Sequence, residues 1–174
     1  MSRGVRALAL RVAGVSLLLA PFAWAWSYLA PLYNQLLVTL AAPLTPASVA
    51  LEATAAHEIT IRYTPPTLLG DPWVSISTLI LQGGPLLLAA IVLVTPRLAL
   101  AWRGVGLAAI ASAFLGLHIL VVGFEAWTLK WSVDGRAVNL DTTVAVEPLF
   151  YFVVPALVAG AWCLRFWLPA LRET

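Results

Sequence analysis

Charge is scarce in this chain. Ten Lys and Arg and eight Asp and Glu make 10% of 174 residues, where a soluble domain carries about 25%. So few ionic side chains cannot cover a globule of this length, and 61% apolar residues equally exclude disorder. Cysteine is almost absent. The one thiol, Cys163, excludes an internal disulfide and a thiolate zinc site within one chain, and no metal site is expected. The net charge of +2 is small and its basic residues form no single stripe, which argues against nucleic-acid binding. No internal repeat or low-complexity tract divides the chain, so it reads as one domain over 1–174.

What is present is long apolar runs, with a mean hydropathy of +0.93. A bilayer core needs roughly 20 apolar residues of helix. Four stretches qualify: Leu8–Leu29, Trp73–Val94, Val105–Phe124 and Pro148–Leu168. The expected fold is an all-α membrane protein, a four-transmembrane-helix bundle with a small extracytoplasmic β-hairpin, having outer segments over about 30–72 and 125–147.

The charges set the direction, because Lys and Arg collect in short cytoplasmic segments. Arg3, Arg6, Arg11, Arg97, Arg103, Arg165 and Arg172 all fall on one side. The other side holds Glu52, Glu58, Asp71, Glu125, Asp134, Asp141 and Glu147, with Arg62, Lys130 and Arg136 as its only bases. Both termini are therefore expected inside. Arg3, Arg6 and Arg11 before an apolar run, with Ala23-Trp24-Ala25 after it, also fit a cleaved secretory signal. The apolar run continues through Leu36-Leu37, and Trp24, Trp26 and Tyr28 resemble an interfacial belt, which favours a retained anchor.

After Pro31 the segment to Leu40 reads as an interfacial helix or as a continuation of the first span, ending by Pro43 and Pro46. Ile59, Ile61 and Tyr63 then alternate with Glu58, Thr60 and Arg62, the period of a half-buried strand. Val49, Leu51 and Ala53 supply its hairpin partner. Asp134-Gly135, between Lys130 and Val138, signals a second hairpin turn. Pro21, Pro85 and Pro155 are expected to kink three of the spans.

His118 is the sharpest site candidate, because an ionisable group inside a span is costly. It stands about 20 Å along the third helix from Gly104, and Glu125 follows seven residues later on the same face, about 10 Å further. A bis-histidine haem needs a second intramembrane histidine, and His57 is outside. No cofactor is therefore expected; the alternative is a chlorin or haem held through His118. Cys163 lies more than about 10 Å along the axis from His118, too far for a Cys–His nucleophile. Glu125 and Glu147, with Glu52, His57 and Glu58, are acidic groups of the outer side with no enforcing spacing. A stripe of small residues, Gly104, Ala108, Ser112 and Gly116, with Ala156 and Gly160 on the fourth helix, is expected to pack helices together. Trp73, Glu125, Trp127, Trp131 and Glu147 form the expected partner surface. The expected partners are the bilayer and other integral membrane proteins.

Several segments resemble a group of small exosortase-associated bacterial membrane proteins. They are Ala30-Pro31-Leu32-Tyr33-Asn34-Gln35-Leu36-Leu37, Ile59-Thr60-Ile61-Arg62, Val94-Thr95-Pro96-Arg97 and Leu117-His118-Ile119-Leu120. The likeness runs to about Val122. Ser77-Thr78 stands where the group starts its second span with Phe-Asn. The resemblance implies a non-enzymatic accessory to a membrane protease/transpeptidase that sorts surface proteins, and it carries over no catalytic residues.

Overall fold

The computed structural model describes residues 3–55, 57–67, 70–136 and 152–169, and helix accounts for 74% of them. Two helical stretches, Arg6–Leu44 and Leu100–Val133, are long and apolar enough to cross a membrane, while Gln82–Val94 and Val154–Trp167 are shorter apolar helices.

Helix α1 covers Arg3–Ala41 with Pro21 and Pro31 inside it. The chain does not break at Pro31 to form a separate interfacial helix. Ala30, Asn34, Leu37 and Ala41 are all buried at helical spacing, and packing along that face outweighs the one backbone hydrogen bond a proline removes. A 3-10 turn, Ala42–Leu44, ends it.

Three antiparallel strands follow in the order β1 (Val49–Ala55), β2 (Glu58–Tyr63) and β3 (Trp73–Ser77). The expected hairpin is present with Leu51 opposite Ile61 and Ala53 opposite Ile59, and the register shifts between Ala53 and Ala55. The third strand corrects the expected second span. Trp73–Ser77 is an edge strand pairing Ile76 with Ile59 and Val74 with Ile61, and the helix begins only at Thr78. A hairpin alone is marginal in water. This sheet gains its support from helices, since Ile59, Ile61 and Ile76 bury against Leu37 and Ala41 of α1 and against Val122 and Ala126 further along the chain.

Helix α2 spans Thr78–Val94. Its first amide, that of Thr78, donates to the His57 carbonyl at 2.9 Å, so the sheet satisfies a donor that a helix start leaves open. Pro96 prevents continuation past Thr95. Helix α3, Leu100–Val133, exceeds the expected Val105–Phe124 at both ends. At about 1.5 Å per residue its 34 residues reach about 51 Å, longer than a bilayer core of about 30 Å. The far end of α3 forms one wall of the sheet's core.

The second hairpin is absent from its near half. Lys130–Val133 is helical, and the Gly135 amide bonds the Ser132 carbonyl at 3.2 Å while the Arg136 amide bonds that of Trp131 at 3.0 Å. With Gly135 at φ 73, these bonds make a Schellman cap. Residues 137–147, with Asp141 and Glu147, lie outside the described part. So do residues 148–151 of the fourth expected span. From Val154 to Trp162 that span is helix α4, continued by a π-helical turn over Cys163–Trp167, and Pro155 occupies its first turn, where no amide is required.

Gly84 sets the distance between α2 and α4. A Cβ there would lie 2.7 Å from Pro155 Cγ. The opposite end of the molecule from the sheet is basic, and there Val15 of α1, Ala90 and Ile91 of α2 and Trp167 share a second apolar core.

Candidate functional site

Helical phase puts His118 and Glu125 on one face of α3, since seven residues at about 100° each return within about 20° of the start. Both are buried, at 2% and 6% exposure. The His118 ring lies edge-on to Tyr33 and to Phe114 with centroids 5.9 Å away in each case. Its Nδ1 is 2.5 Å from the Tyr33 hydroxyl. A ring held at Nδ1 is oriented as metal-ligating histidines are, through the nitrogen that does not ligate. Among the described residues no three His, Cys, Asp or Glu side chains gather in a way that could hold a metal ion.

Beside this pair lies a cavity of about 480 Å³ between α1, α2 and α3, lined by Trp26, Tyr33, Gln82, Phe114 and His118 among apolar side chains. Gln82 is 2% exposed, and neither its amide nitrogen nor its amide oxygen has a hydrogen-bond partner among the described residues. The indole nitrogen of Trp26 is in the same state. Burying such groups unsatisfied costs about 1–3 kcal/mol each. Gln82 is easily missed in the sequence because the chemistry it carries is ordinary in a loop. The signal is its place inside an apolar run, where an amide is expensive.

The stripe of small residues is exposed, and its Ser112 also lines this cavity. Gly104, Ala108, Ser112 and Gly116 are exposed, and open space surrounds Gly104 and Gly116. Ala156 and Gly160 on α4 are also exposed, with nothing near Gly160. The expected packing of this chain's helices along these residues is not what the structure has. The close approach on α3 is at Gly106, where a Cβ would meet the Trp162 ring at 3.3 Å and Val92 at 3.4 Å.

The expected partner surface divides. Trp73 is 60% exposed on edge strand β3. Trp127 and Trp131 are exposed neighbours with ring centroids 5.9 Å apart, and the Trp127 indole donates to the Leu44 carbonyl at 2.9 Å. Glu125 does not belong with them. It precedes Trp127 by two residues, which places the two on different faces, and it is buried. Glu147 lies outside the described residues. Glu58 accepts a hydrogen bond from Ser75 across the sheet, and Glu52 is exposed on the other edge strand.

A second polar grouping, unforeseen in the sequence, lies at the basic end. The fully buried Thr95 hydroxyl donates to the Ile91 carbonyl at 2.7 Å and accepts from the Trp162 and Trp167 indoles at 2.9 and 3.1 Å. One donor and two acceptor sites exhaust a hydroxyl. Arg103 donates to the carbonyls of Leu93, Thr95 and Leu98, capping α2 with charge of the favourable sign. Arg11 donates to the Trp167 carbonyl at 3.1 Å. Cys163, half-buried beside this core, is remote in the fold from His118. No family model, curated protein or solved structure matches this chain.

Proposed function

We propose that the chain is a non-catalytic accessory or assembly subunit of a larger bacterial inner-membrane complex, crossing the membrane four times with both termini in the cytoplasm. The observation that carries this reading is the outer sheet. It is braced from below by α1 and α3, and it ends at an edge strand, β3, which among the described residues pairs with β2 alone and carries the exposed Trp73. An open edge strand is a template for pairing with another chain, and exposed tryptophan is enriched in interfaces and at headgroup level. The four spans are supported by α2 and α4, which share the apolar core of α1 at the basic end although they are shorter. That same packing of Val15 supports retention of the first helix over its removal as a signal. An exosortase-type system that sorts surface proteins is the complex to which the sequence resemblance points.

Purification from the native host in mild detergent tests the role. A stoichiometric integral membrane partner that is lost in Trp73→Ser is expected; a protein that purifies alone from several detergents overturns the reading. Burial of His118 against a cavity favours a second reading, a cofactor subunit with His118 as ligand to a chlorin or haem. Visible absorbance lost in His118→Ala supports it, and a colourless native preparation removes it.

A further inference from the structure

We propose that strand β3 pairs edge to edge with β3 of a second copy of this chain, joining two three-stranded sheets into one. The pairing rests on the open edge used in the reading above and names the chain that meets it, leaving the outward side of Trp73 to the larger complex.

The ladder shows which backbone groups are free. The Tyr63 amide donates to the Pro72 carbonyl at 3.0 Å, and the Thr78 amide to the His57 carbonyl at 2.9 Å. In the register that sets Ile61 opposite Val74 and Ile59 opposite Ile76, antiparallel alternation then turns the amides and carbonyls of Val74 and Ile76 to β2, and those of Trp73, Ser75 and Ser77 away from it. The other edge is guarded. On β1 the Val49 amide donates to the Pro46 carbonyl at 2.9 Å, and the register shifts between Ala53 and Ala55, an irregularity that blunts an edge. No charge, proline or register shift interrupts Trp73–Ser77, and its three outward residues are exposed.

Any extended chain satisfies these backbone groups; the side chains select this one. About a dyad at Ser75, Trp73 stands opposite Ser77 of the second copy and Ser75 opposite its counterpart, the one register that pairs all three outward residues. Four hydrogen bonds form without the Ser77 carbonyl, which lies at the start of α2 and serves its first turn. The same register sets a bulky side chain beside a small one. It also aligns rows on the outer face, since Arg62 neighbours Trp73 and Glu58 neighbours Ser77. Each row across the dyad then runs from Arg62 of one copy to Glu58 of the other, and no like charges face each other. Arg62 is exposed and has no ion pair among the described residues. The dyad passes through the sheet from face to face, so the helices packed under both inner faces lie on one side, as two copies in one bilayer require.

The test puts the only thiol of the full chain at position 75, as Ser75→Cys with Cys163→Ala, and treats native membranes with a short bismaleimide. One thiol per chain links only two copies. A dimer band is expected, with about ten-fold less from Glu52→Cys on the guarded strand. Single-molecule photobleaching of the chain carrying Ser75 should count two copies, falling to one in Ser75→Pro and Ser75→Lys and staying at two in Ser75→Ala. The proline removes an amide that faces away from β2, so the sheet keeps its own bonds, and the lysine sets like charges face to face. Unchanged circular dichroism in both separates lost pairing from lost folding. A single copy of the unaltered chain overturns the proposal, as do equal cross-linking from positions 52 and 75 and two copies that survive both substitutions. A single copy bound to a different integral protein overturns this pairing and keeps the accessory reading, whereas two copies that purify with no other partner keep the pairing and overturn that reading.

Discussion

Hydroxyl groups carry two of the longest-range links in this chain. Thr95 joins the end of α2 to two tryptophans of the last helix, and its substitution separates hydrogen bonding from volume. Thr95→Val keeps the shape but leaves both indoles without an acceptor, and should destabilise the protein by about 1–3 kcal/mol, whereas Thr95→Ser should retain most of the stability. Thermal unfolding in detergent compares them directly. Tyr33→Phe removes the hydroxyl that faces His118 Nδ1. It should cost about 0.5–1.5 kcal/mol and, if the ring is held for a ligand, should shift any visible band assigned to His118 without abolishing it. At this scale the sequence is informative about His118, because a titratable group in an apolar run is conspicuous. It is silent about Thr95 and Gln82. Their importance depends on which neutral groups meet them from chain positions 67 and 72 residues away in one case, and on no partner at all among the described residues in the other.

Elements show where apolar patterning suffices and where it misleads. The runs that become α1, α2 and α3 stand out by length, yet Trp73–Ser77 merges by hydropathy into the second of them. The alternation is there to read, with Val74 and Ile76 turned toward the core and Trp73, Ser75 and Ser77 outward, but five residues adjoining a longer apolar stretch lose to it by weight. Asp134-Gly135 illustrates another ambiguity, since a glycine at positive φ serves a hairpin turn and a helix cap equally. What decides between them is the register of the preceding helix. Glycine also separates contacts that spacing alone confuses. Gly84→Ala should force α2 from α4, because its Cβ would overlap Pro155, and cost about 1–3 kcal/mol. Gly104→Ala, in open space, should gain about 0.5–1 kcal/mol from reduced backbone freedom. Opposite signs in paired unfolding measurements are expected. A loss at Gly104 would instead mean that another chain packs there.

The whole molecule is a basic end, an apolar middle and an acidic end carrying a sheet, and the placement of seven arginines along the chain makes that polarity legible. Labelling tests its direction. With Cys163 replaced by Ala, a cysteine at Glu52 should react with an impermeant reagent added outside cells, and one at Ala99 should react only after lysis; the reverse pattern would invert the molecule in its membrane. The sheet's attachment is not legible in the same way, because it depends on α1 and α3 being longer than a bilayer core of about 30 Å. Hydropathy marks where a helix can enter lipid and does not mark how far it continues beyond.

That Thr95 bonds Trp162 and Trp167, and that Arg11 reaches the Trp167 carbonyl, also has a meaning in time. Arg11 is made before Thr95, and Trp162 and Trp167 after both, so this end of the fold cannot close until the helix that carries the two tryptophans has been made. A chain cut short before Trp162 keeps the residues of its sheet but leaves the Thr95 hydroxyl without its two indole donors and Arg11 without the Trp167 carbonyl.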